Sequence, residues 1–319
     1  MTAAARPIAA GDDFTLPFQV DALDLRGRVV RLGPAIDALL STHDYPEPVA
    51  MLLGELVVTT ALLAGALKFD GILITQIRSD GPVNLIVVDF KTPGHLRAYA
   101  RFDRREVDAA RPVAERYRNP VQCFLGRGSL TFTVDQGPET DRYQGTVELA
   151  GNTVLDCAHH YLEQSEQHSA LLRVAVRAPD AAADGSEWRA GGLMVQHMPG
   201  MLAGRLQDDR IAGERGDLWD RAEALASTAR AEELVASEPG PYHLLRRLFH
   251  PDGVRVFRPA PLENRCRCAR ERIRGVLSSF PASELETMLV DAKIEVTCEF
   301  CNRRYDFDLT EVAAGAERT

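Results

Sequence analysis

Lysine is nearly missing from this 319-residue chain: Lys68, Lys91 and Lys293 are the only three, and arginine supplies the rest of the 37 basic side chains. Against 46 acidic residues these leave a net charge of −9. That balance speaks against a protein built chiefly to grip phosphate backbones, which needs a positive surface. An export signal is missing too. Residues 1–14 hold one early arginine, then Asp12 and Asp13, with no basic start, apolar run and small-residue cleavage site. The expected compartment is therefore the reducing cytoplasm, where six cysteines do not make a disulfide framework. The longest apolar stretch, Val49 to Leu67, is interrupted by Glu55 and by Thr59 and Thr60. A buried core helix is the expectation there, and no membrane partner. Gly126 and Gly128 precede a strand instead of opening a helix, so the context of a phosphate loop is absent. No acid–base pair or nucleophile with a partner stands out, and no enzymatic activity is expected.

What is present is an ordinary hydrophobic fraction of 45%, enough for a sizeable core, in a chain long enough for two domains and a connecting segment. Residues 1–205 read as a mixed α/β domain. Strand patterns cover Asp13 to Leu23, Val29 to Arg31, Ile72 to Arg78, Val83 to Asp89 and Leu96 to Arg101. Asp80-Gly81-Pro82 predicts a tight turn between two of them. A second hairpin is expected from Ser129–Val134 and Tyr143–Glu148, and further strands at Ala170–Ala178 and Ala190–His197. Helices are expected over Pro48–Lys68 and Thr153–Ser169, with a short one near Pro199. Residues 206–262 change character. They are rich in Ala, Arg, Asp and Glu, with a thin stripe of Trp219, Ala222, Leu225 and Ala226, and read as a helical linker with a weak claim on any core. A short amphipathic helix is expected at Tyr242–Phe249.

The chemistry is concentrated in residues 263–312. Cys266-x-Cys268 leads into a helical pattern, Pro281 breaks it, and Ser283 with Glu286 suggests a capping box for a second helix. Ile294, Val296, Tyr305 and Phe307 then frame a hairpin with Cys298-x-x-Cys301 at its bend. Zinc favours four tetrahedral ligands, and thiolates are among its strongest partners. No histidine lies in the module, so Cys266, Cys268, Cys298 and Cys301 are the expected set for one Zn²⁺. A core this small is barely stable alone, whereas structural zinc contributes roughly 10–16 kcal/mol of apparent folding free energy. Removing the metal should unfold the module. All four ligands can be oxidised, and Arg265, Arg267 and Arg270 flank the first pair. On this chemistry alone, a redox switch and a structural staple remain equally open.

The chain closely resembles the redox-regulated holdase chaperones of the thirty-three-kilodalton heat-shock protein family. The C-terminal resemblance lies in Cys266-x-Cys268 with the helix from Ala269, and in the run Lys293 to Cys301. The first domain is similar at Gly54-Glu55-Leu56, Leu67 to Gly71, Asp80 to Val83, Tyr161 to Gln167 and Ala190 to Leu193. The resemblance implies an α+β fold: an N-terminal domain with antiparallel sheet and packing helices, a stress-sensing helical linker and a zinc domain. It implies a protein inactive while reduced and zinc-bound. Oxidation would close the disulfides Cys266–Cys268 and Cys298–Cys301, release zinc, unfold the module and linker, and expose apolar surface that holds unfolding client proteins without ATP. The oxidised form would be a homodimer. Residues 206–239 match no family motif, which leaves the activation threshold open.

A zinc-ribbon nucleic-acid-binding protein is the alternative. The arginines from Arg255 to Arg274 favour it, while the acidic total and the lack of interleaved aromatics oppose it, and no specific nucleic acid is expected. A thiol–disulfide oxidoreductase would need Cys298-x-x-Cys301 to open a helix, not to bend a hairpin. Cys123 and Cys157 are expected to be core residues, and His159, His160 and His168 solvated or satisfied within the fold.

Overall fold

The computed structural model describes residues 12–117, 119–137, 140–165, 169–180, 182–183, 185–198 and 211–316. The helix expected near Pro199, His168 and the Glu166-Gln167 end of the Tyr161–Gln167 motif lie outside these residues. The chain divides into two compact units, Met1–Asn264 and Arg265–Thr319.

Two six-stranded sheets build the first unit. The first contains β1 (Phe14–Val20), β2 (Leu25–Leu32), β8 (Ala170–Arg177) and β9 (Arg189–His197), all antiparallel neighbours in the order β1-β2-β9-β8. The second runs β5 (His95–Phe102), β4 (Val83–Lys91), β3 (Ile72–Ser79), β6 (Gly128–Asp135), β7 (Tyr143–Glu148), again antiparallel. Between the sheets lies α2 (Glu47–Ala66), with α1 (Pro34–Leu40) and α4 (Val154–Ser165) beside it. The apolar run is thus a core helix: it is long and apolar enough to cross a bilayer, but most of it is buried. Burial on all sides explains why its apolar residues follow no stripe.

Period-two alternation sorts the first sheet into two faces. Phe14, Leu16, Phe18, Val20, Leu25, Val29, Leu193 and Val195 face one core, and Val30, Leu32 and Met194 face the other with α2. Gly191 and Gly192 sit where both faces are crowded. A Cβ at Gly192 would lie 2.7 Å from the Val58 side chain, and one at Gly191 would collide with the Leu234 carbonyl. Side-chain-free backbone lets helices approach both sides of β9 closely.

The segment after residue 206 does more than link. α5 (Ile211–Ser227), α6 (Ala231–Val235) and α7 (Pro241–Phe249) cover the outer face of the first sheet. Ala222, Ala226, Ala229, Leu234, Val235, Leu244, Leu245, Leu248 and Phe249 are buried there. The expected weak claim on a core is corrected: small alanines bring α5 onto the sheet, so a thin stripe suffices. Arg31 on β2 donates to the carbonyls of Glu233 (3.1 Å), Ser237 (3.2 Å) and Pro239 (3.4 Å). Arg189 on β9 donates to the Val235 carbonyl at 2.8 Å and pairs with Asp12. These cations satisfy the carbonyls at the end of α6, the favourable end of a helix for positive charge. The chain then returns as a strap. β10 (Arg255–Val256) and β11 (Ala260–Pro261) pair with β1, and β12 (Glu263–Asn264) pairs in parallel with β5 of the other sheet.

Two elements of this unit go beyond the sequence pattern: α1, and α3 (Arg104–Tyr117), which carries Pro112 within it. The second unit contains α8 (Arg270–Leu277), α9 (Ala282–Thr287), α10 (Leu309–Ala316) and a small sheet of β13 (Leu289–Val290), β14 (Lys293–Thr297) and β15 (Arg304–Phe307). Its core is Leu277, Leu285, Ile294, Phe307 and Val312. The capping box is not formed: Pro281 is the N-cap of α9, without a side-chain bond, and its restricted φ of −59° starts the helix directly.

Candidate metal centre

The second unit brings four thiols to one place. Cys266 and Cys268 lie on the extended segment before α8, where Ala269 keeps a strand-like backbone. Cys298 and Cys301 lie in the turn that joins β14 to β15. The Cys298 N–H donates to the Arg303 carbonyl (2.9 Å) and the Asn302 N–H to the Cys298 carbonyl (2.8 Å). Asn302 takes a left-handed φ of 55°, which asparagine tolerates better than most residues. This closed turn aims both sulfurs the same way. All four Sγ atoms lie within 4.8 Å of one another and could hold one metal ion.

Two close separations run across the motifs: Cys268 to Cys301 is 3.3 Å and Cys266 to Cys298 is 3.7 Å. The Tyr305 hydroxyl on β15 donates to Cys268 Sγ at 3.1 Å. Burial opposes ionisation of Cys268, but the hydrogen bonds from Tyr305 and the neighbouring thiols outweigh it, leaving this thiol lowered to about 7. Burial pushes Cys298 and Cys301 upward, and at Cys301 the sulfur of Cys268 adds to it. One site thus contains both a thiolate formed near neutrality and thiols that resist ionisation.

Of the flanking arginines, Arg270 does not serve the sulfurs. It lies over the Phe307 ring, 4.4 Å from its centroid, and pairs with Glu311 at 2.7 Å. A cation that does interact with Cys268 and Cys301 is Arg303. Tyr305 and Arg303 therefore escaped the sequence reading as site residues. Polar residues two and four steps beyond a Cys-x-x-Cys turn are the signal that could have found them.

Elsewhere, Cys157 is buried and its thiol donates to the Ala150 carbonyl at 3.2 Å, while Cys123 is half-buried. His159 Nε2 accepts the Leu172 N–H at 3.0 Å and is thereby satisfied within the fold.

The sequence profile of the family described as Hsp33 protein matches residues 13–308. The chain is 45% identical over 310 residues to the 33 kDa chaperonin of Caulobacter vibrioides, covering 97% of this chain and 99% of that one. It is 40% identical over 303 residues to the 33 kDa chaperonin of Azotobacter vinelandii, covering 94% and 93%. In fold it is similar to the crystal structure of the 33 kDa chaperonin of Thermotoga maritima, with a TM-score of 0.78 over 96% of this chain and 98% of that one, at 21% identity. With a matching profile across nearly its whole length and relatives this close, the chain belongs to the Hsp33 family.

Proposed function

We propose that this chain is an ATP-independent holdase chaperone, switched on when oxidation dismantles a zinc site made by Cys266, Cys268, Cys298 and Cys301. The observation that carries the reading is the gathering of four sulfurs from two segments that α8, α9 and two short strands separate. Zinc is favoured by the donor set: four sulfurs at ~2.3 Å from one ion sit about 3.8 Å apart, near the 3.3 and 3.7 Å separations here. When bound, zinc would keep the sulfurs as thiolates and tie the two segments together.

The protein's own groups account for the switch. Tyr305 holds Cys268 in its ionised form, the form that peroxide attacks. Closing a disulfide within each pair passes two electrons and two protons to peroxide, which is reduced to two waters, and withdraws two ligands. The five-residue apolar core of the second unit has little to hold it together afterwards. In this reading residues 1–205 form the chaperone core, 206–262 the stress-sensing linker and 263–312 the redox domain. Release of α5–α7 would uncover the outer face of the first sheet for unfolding client proteins and for a second oxidised copy. The setting is cytoplasmic, and neither nucleic acid nor membrane is needed.

The test exposes zinc-loaded protein to peroxide at heat-stress temperature and follows metal release with a chelating dye beside light scattering from an aggregating client. Coincident release and protection, both reversed by reductant, are expected. Protection by the reduced form, or zinc loss without protection, would reduce the site to a staple.

A further inference from the structure

A cavity of about 510 Å³ opens between α2, the π-helical turn Val121–Leu125, β8 and α6. Its walls are apolar, formed chiefly by Pro48, Met51, Leu52, Phe124, Val174 and Val176, and the Glu47–Arg111 ion pair at 2.9 Å lies at its rim. Glu55 also lines it, the single charged side chain between Val49 and Ala66. The residue is half-buried. Oε1 accepts the Leu155 N–H at 2.8 Å, the carboxylate also takes a hydrogen bond from the Val154 N–H, and no cation bonds to it among the described residues. A carboxylate accepts about four hydrogen bonds, so about half of this group's capacity is unused. Apolar walls with one convergent polar group are the usual make-up of a small-molecule site.

We propose that this cavity binds a small organic ammonium ion, its apolar body against Met51, Leu52, Phe124 and Val176 and its N–H donors on Glu55. A cation relieves the cost of a desolvated carboxylate held by backbone N–H groups alone, which a neutral ligand of the same shape does not. Ala231, the first residue of α6, closes one side, so occupancy requires α6 in place. By linkage the ligand opposes release of α6. This coupling rests on the functional reading above; the binding does not.

Burial raises the Glu55 carboxyl to about 7, opposed by the Leu155 and Val154 N–H groups and aided by the charge of Asp156. The other titratable groups facing it are Cys157, whose thiol burial pushes up to about 11, and the paired Glu47 and Arg111 at the rim. The Cys157 thiol stays neutral between pH 6 and 8. β8, the π-turn and α6 present no charge to the cavity.

Calorimetric titration of the reduced, metal-loaded full chain with 2-phenylethylammonium chloride tests the site. One saturable site is expected, with 2-phenylethanol at least ~10-fold weaker. Affinity for the cation should rise ~10-fold from pH 6 to pH 8 as Glu55 ionises. Glu55→Gln, which keeps an acceptor for Leu155, should bring the cation down to the alcohol's level. Met51→Trp, which fills the cavity, should abolish both while melting stays unchanged. No saturable binding, or equal binding of the two probes with Glu55→Gln unaffected, overturns the proposal. At ten times Kd the lag before oxidative activation should lengthen ~10-fold. Binding with an unchanged lag overturns the coupling alone, whereas failure to activate without ligand overturns the chaperone reading and leaves the binding result standing.

Discussion

At Cys268 a neighbouring hydroxyl joins the other thiols in favouring the ionised sulfur. Tyr305→Phe removes the 3.1 Å hydrogen bond to that sulfur together with the bond between the tyrosine hydroxyl and Arg303. Loss of such a bond to a metal ligand typically costs 10–100-fold in metal affinity, so chelator competition should show a drop of about that size. An unchanged affinity would mean that the hydroxyl only packs. The cysteines were legible because their spacing is itself a chemical statement. Tyr305 was not, because its role depends on β15 being in register with β14, where Val296 faces Tyr305. Glu55 makes a separate prediction through its proton. Its folded value, about 7, lies above the 4.5 of an exposed glutamate, so its contribution to stability is full below pH 4.5 and fades as pH rises through 7. Between those limits the loss is about 3 kcal/mol. Urea midpoints of the reduced protein should fall from pH 5 to pH 8 more steeply than those of Glu55→Gln. Parallel slopes would refute the assignment.

The covering helices show where pattern and packing part company. α2 and the central strands were readable from apolar runs and alternation, and the Asp80-Gly81-Pro82 turn lies between β3 and β4. α3 was hidden by its charge: from Arg104 to Glu106 it opens on three ionic residues, and Pro112 stands inside it. The packing of α5–α7 was hidden for the opposite reason, since alanines at 222, 226 and 229 look weak until a sheet lies against them. The arginine clamp on α6 was invisible because its acceptors are backbone carbonyls. Arg31→Met should cost on the order of 3 kcal/mol, the scale of a buried charged group's bonds. Amides across 231–239 should exchange hydrogen faster, and the oxidant threshold should fall. Unchanged exchange there would show that α6 is held by apolar contact alone. Gly192→Val, which drives side-chain atoms at Val58 and Leu62, should destabilise the first unit by about 1–3 kcal/mol.

The two units differ in what holds them. The first buries two extensive cores, the second one of five residues beside its cysteines. Chelation of the reduced protein should therefore abolish the circular-dichroism signal of α8–α10 and leave the main calorimetric transition in place. A second unit that stays folded without metal would contradict the role given to the sulfurs. The strap that leads into that unit adds a mechanical consequence. β10, β11 and β12 are each two residues wide, and the last ends two residues before Cys266. Tension arriving from the C-terminal side meets three short seams in series instead of one long ladder sharing the load. The seams open in turn at low force, and the strap behaves as a tear strip, parting first from one sheet and then from the other while both remain whole.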